Sequence, residues 1–79
     1  MIEELRNVPV RKLVRALERD GFAYRRVKGS QRIYRHPDGR RVVIHYHRSG
    51  NTLPIGTLQA ILTATRWNNE DLRRLRLTN

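Results

Sequence analysis

Phe22-Ala23-Tyr24-Arg25-Arg26-Val27-Lys28, then Gly29-Ser30, then Gln31-Arg32-Ile33-Tyr34-Arg35-His36, then Pro37-Asp38-Gly39, then Arg41-Val42-Val43-Ile44-His45-Tyr46-His47 is the stretch that decides the fold. It reads as three strands with two tight turns between them. Gly29-Ser30 makes the first turn. Pro37-Asp38-Gly39 makes the second, with proline where its fixed φ pre-organises the chain. The second strand is expected over 32–36. The third, over 41–47, centres on the β-branched run Val42-Val43-Ile44. Two short turns between three strands give an antiparallel meander. Strand alternation puts Val42, Ile44 and Tyr46 on one face and Val43, His45 and His47 on the other.

Upstream, Val10, Leu13, Val14 and Leu17 fall at i, i+3, i+4 and i+7, one apolar stripe of a helix over about 9–20. Pro9 suits its first position and Gly21 its C-terminal stop. Arg11, Lys12, Arg15, Glu18 and Arg19 take the other face, which reads as solvated. Downstream, a polar loop over 48–54 leads to a second helix over 55–64, with Leu58, Ile61, Leu62 and Thr65 inward. Asn68 or Asn69 caps a short third helix, with Glu70 and Asp71 in its first turn, where the helix dipole favours acids. Trp67 is expected to pack the C-terminal segment down. The order α-β-β-β-α plus a small α appendix predicts a two-layer α+β fold: a three-stranded antiparallel sheet with helices on one face. The core expected from this pattern holds Leu13, Val14, Leu17, Phe22, Ile33, Val42, Ile44, Leu58, Ile61 and Leu62. The other sheet face is left to carry Arg and His.

Seventy-nine residues suit a single domain over 1–79 with one small core. There is no cysteine, so neither disulfides nor thiolate chemistry enter. No apolar run approaches the roughly 18 residues of a membrane span. Met1-Ile2-Glu3-Glu4 does not open like a signal peptide, which points to the cytoplasm. The net charge is +10, from 17 basic and 7 acidic residues, and 15 of the 17 are Arg. Arginine's planar fork suits phosphate. An anionic partner is implied, nucleic acid first. The charge is also local: residues 22–48 hold eight Lys or Arg and all three His, against the single acid Asp38.

With these pieces placed, the chain resembles the HicA family of toxin–antitoxin systems (YcfA-like proteins). The resemblance rests on Asp20-Gly21-Phe22, Lys28-Gly29-Ser30-Gln31, Ile33-Tyr34, His36-Pro37-Asp38-Gly39, the strand ending in His45-Tyr46-His47, then Leu53-Pro54-Ile55-Gly56-Thr57-Leu58 and Ile61-Leu62. It covers roughly residues 8–72, and the order and spacing of the pieces carry it. It implies a double-stranded-RNA-binding-domain-like fold and an endoribonuclease that cuts mRNA. It also implies a HicB-like antitoxin covering the active site, and no cofactor. Two positions depart from the family pattern. Gln31 stands where the family has its active-site His, and His45 where it usually has Pro; His47 matches the family's second His.

Metal-free RNA cleavage needs a base for the 2′-OH proton, an acid for the 5′-oxygen and cations for the charge on the phosphorane. Histidine does the first two near neutral pH. Glutamine hydrogen-bonds but does not titrate, so Gln31 argues for weak or absent cleavage. Counting across the second turn puts Gln31 and His47 at one end of the sheet, with His45 one step inward. His47 and His45 are therefore the candidate catalytic pair beside Gln31. His36 flanks the far turn. The candidate RNA contacts are Arg26, Lys28, Gly29, Ser30, Arg32, Tyr34 and Arg41. Gly29 lets a phosphate approach the backbone, and Tyr34 offers a ring to a base. No metal is expected, because no Cys and no nearby acid complete a ligand set with the strand histidines. Three readings stay open: an endoribonuclease using His47 or His45, an RNA-binding module without catalysis, and a protein whose chief ligand is its antitoxin.

Overall fold

The computed structural model describes residues 5–29, 31–45 and 50–78. The elements are α1 (Val10–Arg19), β1 (Ala23–Lys28), β2 (Gln31–Arg35), β3 (Arg41–His45), α2 (Ile55–Thr65) and α3 (Asn69–Arg74). The strands form one antiparallel sheet in the order β1-β2-β3. This is the α-β-β-β-α arrangement of a double-stranded-RNA-binding-domain-like fold.

Local chemistry sets the ends of the helices. Pro9 is the residue before the first turn of α1, with extended backbone, and its carbonyl accepts from the Lys12 and Leu13 amides. At the other end the Gly21 amide donates to Glu18 O and the Phe22 amide to Leu17 O, with Gly21 at φ +103°. That is a Schellman close, which needs the left-handed residue glycine supplies. Asn68 caps α3 in a reciprocal box: its Oδ1 accepts from the Asp71 amide at 2.8 Å, and Asp71 Oδ2 accepts from the Asn68 backbone amide at 3.0 Å.

One apolar cluster joins α1 (Val10, Leu13, Ala16, Leu17), the sheet (Tyr34, Val42, Ile44), α2 (Leu58, Ile61) and the C-terminal segment (Trp67, Leu72, Leu75, Leu77). Val14 and Leu62 pack at its margin. Ile33 departs from the expected core. It is only 7% exposed, yet it lies outside this cluster. The register explains why. Tyr34 pairs with Val42 and Arg32 with Ile44, so 32 and 34 face the helices, while Gln31, Ile33 and Arg35 face away. The strand has one phase, and burying the Tyr34 ring together with Val42 and Ile44 fixes it. The second turn closes tightly, with the His36 amide donating to Arg40 O at 2.9 Å and the Gly39 amide to His36 O at 3.0 Å. Gly39, at φ +101°, takes the left-handed place of a three-residue hairpin loop. β2 therefore ends at Arg35, and His36 belongs to the turn.

Candidate nucleic-acid interface

The sheet face turned away from the helices carries Gln31, Ile33 and Arg35 from β2 and Arg41, Val43 and His45 from β3. β1 adds the register positions Arg26, opposite Ile33, and Lys28, opposite Gln31. No acid stands at any of these positions. Between Tyr24 and Arg26 the register slips by one residue, so Arg25 is the extra residue of a bulge. Bulges re-aim side chains, and here Arg25 joins Arg35 and Arg41 around Ile33. Together they line a depression of about 410 Å³.

At the end of the sheet beside Gly29, Gln31 lies directly across from His45. Their side chains meet, with Gln31 Nε2 3.2 Å from His45 Nε2. An amide nitrogen only donates, so this contact fits a neutral imidazole that accepts at Nε2 and keeps its proton on Nδ1. The sequence places His36 opposite about residue 41, one residue off: Arg35 pairs with Arg41 across a tighter turn, and this sets His45 level with Gln31. The candidates His47 and Ser30, and Tyr46 with them, lie outside the described residues. Gly29 is exposed at φ +61°, and a Cβ there would meet nothing within 4 Å, so its conformation rather than crowding calls for glycine.

Two expected RNA contacts face the wrong way. Tyr34 is 3% exposed, so its ring has no free face for a base. Arg32 takes the helix side of β2 and does not share a surface with Gln31. Arg41 remains on the open face, and Arg25 and Arg35, absent from the expected set, join it. Alternation counted from Gln31 along 31, 33 and 35 would have found Arg35.

The opposite end of the sheet is a clamp. Asp20, just after α1, accepts from Trp67 Nε1–H at 2.9 Å and from Arg74 Nη2 at 3.0 Å, and Arg40 Nη1 stands 3.1 Å away. Burial on its own would raise the Asp20 carboxyl; the Trp67, Arg74 and Arg40 donors outweigh it and hold the group below its ordinary value. Arg40 also reaches Asp38 Oδ2 at 2.7 Å and the Thr65 carbonyl at 2.6 Å, and its guanidinium lies 5.0 Å from the Phe22 ring centre. The Arg40 backbone N–H, followed by its side chain, keeps the exposed Asp38 carboxyl low as well. His36 completes the clamp. Its Nε2 donates to Asp20 O at 2.7 Å, its Nδ1 accepts the Asp38 amide at 3.1 Å, and its ring meets Phe22 edge-on at 5.1 Å. His36 and Arg40 therefore hold the fold together, away from Gln31. Among the described residues no three His, Cys, Asp or Glu gather as a metal would require. Nor is any helix there long and apolar enough to cross a membrane.

An α-β-β-β-α fold that leaves one sheet face turned away from its helices, with arginines and no acid at the register positions named, defines a small α+β module with a basic open face. The sequence model described as HicA toxin of bacterial toxin–antitoxin systems matches residues 10–67, and the chain belongs to that family. Its match runs from the first residue of α1 to Trp67, so it takes in the whole sheet and both Gln31 and His45. Membership makes the protein a toxin of a toxin–antitoxin pair, with an antitoxin as its partner. No curated protein matches the chain significantly.

Proposed function

We propose that this toxin binds mRNA in the cytoplasm on the open sheet face, and that Gln31 withholds the proton transfer needed to cut it. The observation that carries the reading is the Gln31–His45 contact, set in an acid-free basic face. Phosphates crossing that face meet arginine forks, which suit them bidentately. At Gln31 the chemistry runs short. Cleavage by the neighbouring 2′-OH needs one group to accept its proton and a second to protonate the leaving 5′-oxygen. His45 can serve in one of those roles. Gln31 can orient a hydroxyl or a phosphate oxygen but cannot exchange a proton, and its amide already engages the Nε2 lone pair of His45. Replacing Gln31 by His sets two imidazoles across one strand pair, a geometry that suits an acid and a base acting together. A HicB-like antitoxin covering this face would compete with RNA for the same arginines.

The test is cleavage of a long single-stranded RNA in excess chelator by the protein and by Gln31→His. Positioned acid–base catalysis contributes roughly 10²–10⁴-fold, so the variant should cut faster by about that factor. Equal cleavage by both, abolished by His45→Ala, would place the chemistry on β3 without position 31. Failure of both to cut or to bind RNA would remove the RNA reading.

A further inference from the structure

We propose that Arg25, Arg35 and Arg41 form a phosphate subsite, separate from the Gln31–His45 end of the face, that holds a backbone phosphodiester of the bound RNA strand. The proposal rests on the RNA reading above and adds to it where a second phosphate sits.

Arg35 and Arg41 are direct cross-strand partners on one face. Like charges placed so are destabilising in a sheet. The bulge then brings a third cation, Arg25, to the same depression. Among the described residues, all four arginine–carboxylate ion pairs involve other residues: Arg40 and Arg74 with Asp20, Asp38 and Asp71. The clamp at the neighbouring turn shows what this chain does with a structural arginine: Arg40 is given two carboxylates and a carbonyl. Among the described residues the triad is given none of these. The floor is apolar: Ile33 is 7% exposed although it points away from the core. Arg25, Arg35 and Arg41 line the depression around it, and arginine stems lie along apolar surface while their charged heads stay in water. Three forks around an apolar residue, with room of about 410 Å³, suit a tetrahedral dianion or a phosphodiester. Four residues along β2 separate Arg35 from Gln31, roughly 13 Å at strand rise. An extended strand of RNA lying along β2 reaches both, and compact free phosphate reaches only one.

The experiment uses the full chain, its Arg25→Gln/Arg35→Gln/Arg41→Gln variant, and a single-stranded RNA of about ten nucleotides, within the usual span of single-strand sites. Every 2′-OH is methylated so that the probe cannot be cut. Affinity is measured against salt. A single strand loses about 0.7 in log–log slope for each phosphate contact removed. The variant should show a slope smaller by at least that amount and an affinity about tenfold or more weaker, the size of a lost charged hydrogen bond. Moving one neutral methylphosphonate along the probe should reveal a position that weakens wild-type binding and leaves the variant indifferent. The variant's melting temperature should stay level or rise, because repulsion is relieved; a fall would mark a structural role and overturn the subsite. Wild-type affinity and slope in the variant would also overturn it, while leaving RNA binding intact. A wild-type protein that binds no RNA would take down the RNA reading first. Inorganic phosphate filling the triad as tightly as the RNA does would assign it to a free anion. A poly-glutamate peptide bound more tightly than RNA, and lost in the variant, would assign it to an acidic protein. Either result overturns the proposal.

Discussion

Replacing Asp20 by Ala should be among the most damaging single polar substitutions in this chain. The Asp20 side chain is 12% exposed and receives Trp67 Nε1–H, Arg74 and Arg40. Trp67 is itself 5% exposed, so its indole N–H would be left without a partner, at about 1–3 kcal/mol. Arg40 keeps Asp38 and the Thr65 carbonyl, so its loss is about 1 kcal/mol. Arg74 is half exposed and adds little. The expected total is about 3 kcal/mol, or roughly 12–24 °C in Tm for a domain of this size. Asp20→Asn keeps an oxygen for the indole and should lose about half as much. Thermal unfolding followed by circular dichroism and by Trp67 fluorescence measures both. The pH dependence adds a sign. The folded-state carboxyl titrates below 3.8, its ordinary value, so its contribution is complete above that pH and is lost as pH falls through the lower folded-state value. The gap between wild type and Asp20→Ala should therefore be constant near neutrality and shrink on acidification below pH 3.8. A gap under about 0.5 kcal/mol, the range of ordinary surface substitutions, or one that does not move with pH, would refute the clamp.

Glycines 21 and 29 should respond differently to alanine. Both have positive φ, but a Cβ at Gly21 would stand 2.8 Å from His36 Nε2, whereas Gly29 has open space. Gly21→Ala should cost about 2–3 kcal/mol and Gly29→Ala about 1 kcal/mol by denaturant titration; equal costs would mean that the His36 contact yields freely. Tyr34→Phe should leave RNA affinity within about twofold, since an interior ring touches no base; a tenfold loss would return Tyr34 to the interface.

The sequence shows the elements and their order because each has a local cause: the α1 stripe, the β-branched centre of β3, the asparagine cap of α3. It shows the phase of β2 less well. Arg32-Ile33-Tyr34 offers an aliphatic and an aromatic side by side, and either could point inward. The choice follows from Val42 and Ile44 on the next strand, and so from a register that a one-residue difference in turn length resets. That same difference brings His45 level with Gln31. The bulge at Arg25 leaves no mark in composition. The clamp is harder still, because Asp20 meets Trp67 and Arg74 from 47 and 54 residues away, and nothing near Asp20 in the chain announces either partner.

The pleat of β2 divides the strand between two kinds of selection. Positions 32 and 34 answer to the helices beneath them, and a change there is felt by the whole molecule. Positions 31, 33 and 35 answer to whatever lies on the open face. Residue 31 can therefore pass between histidine and glutamine with the interior untouched. A chain built this way can change its open face in single steps and still fold.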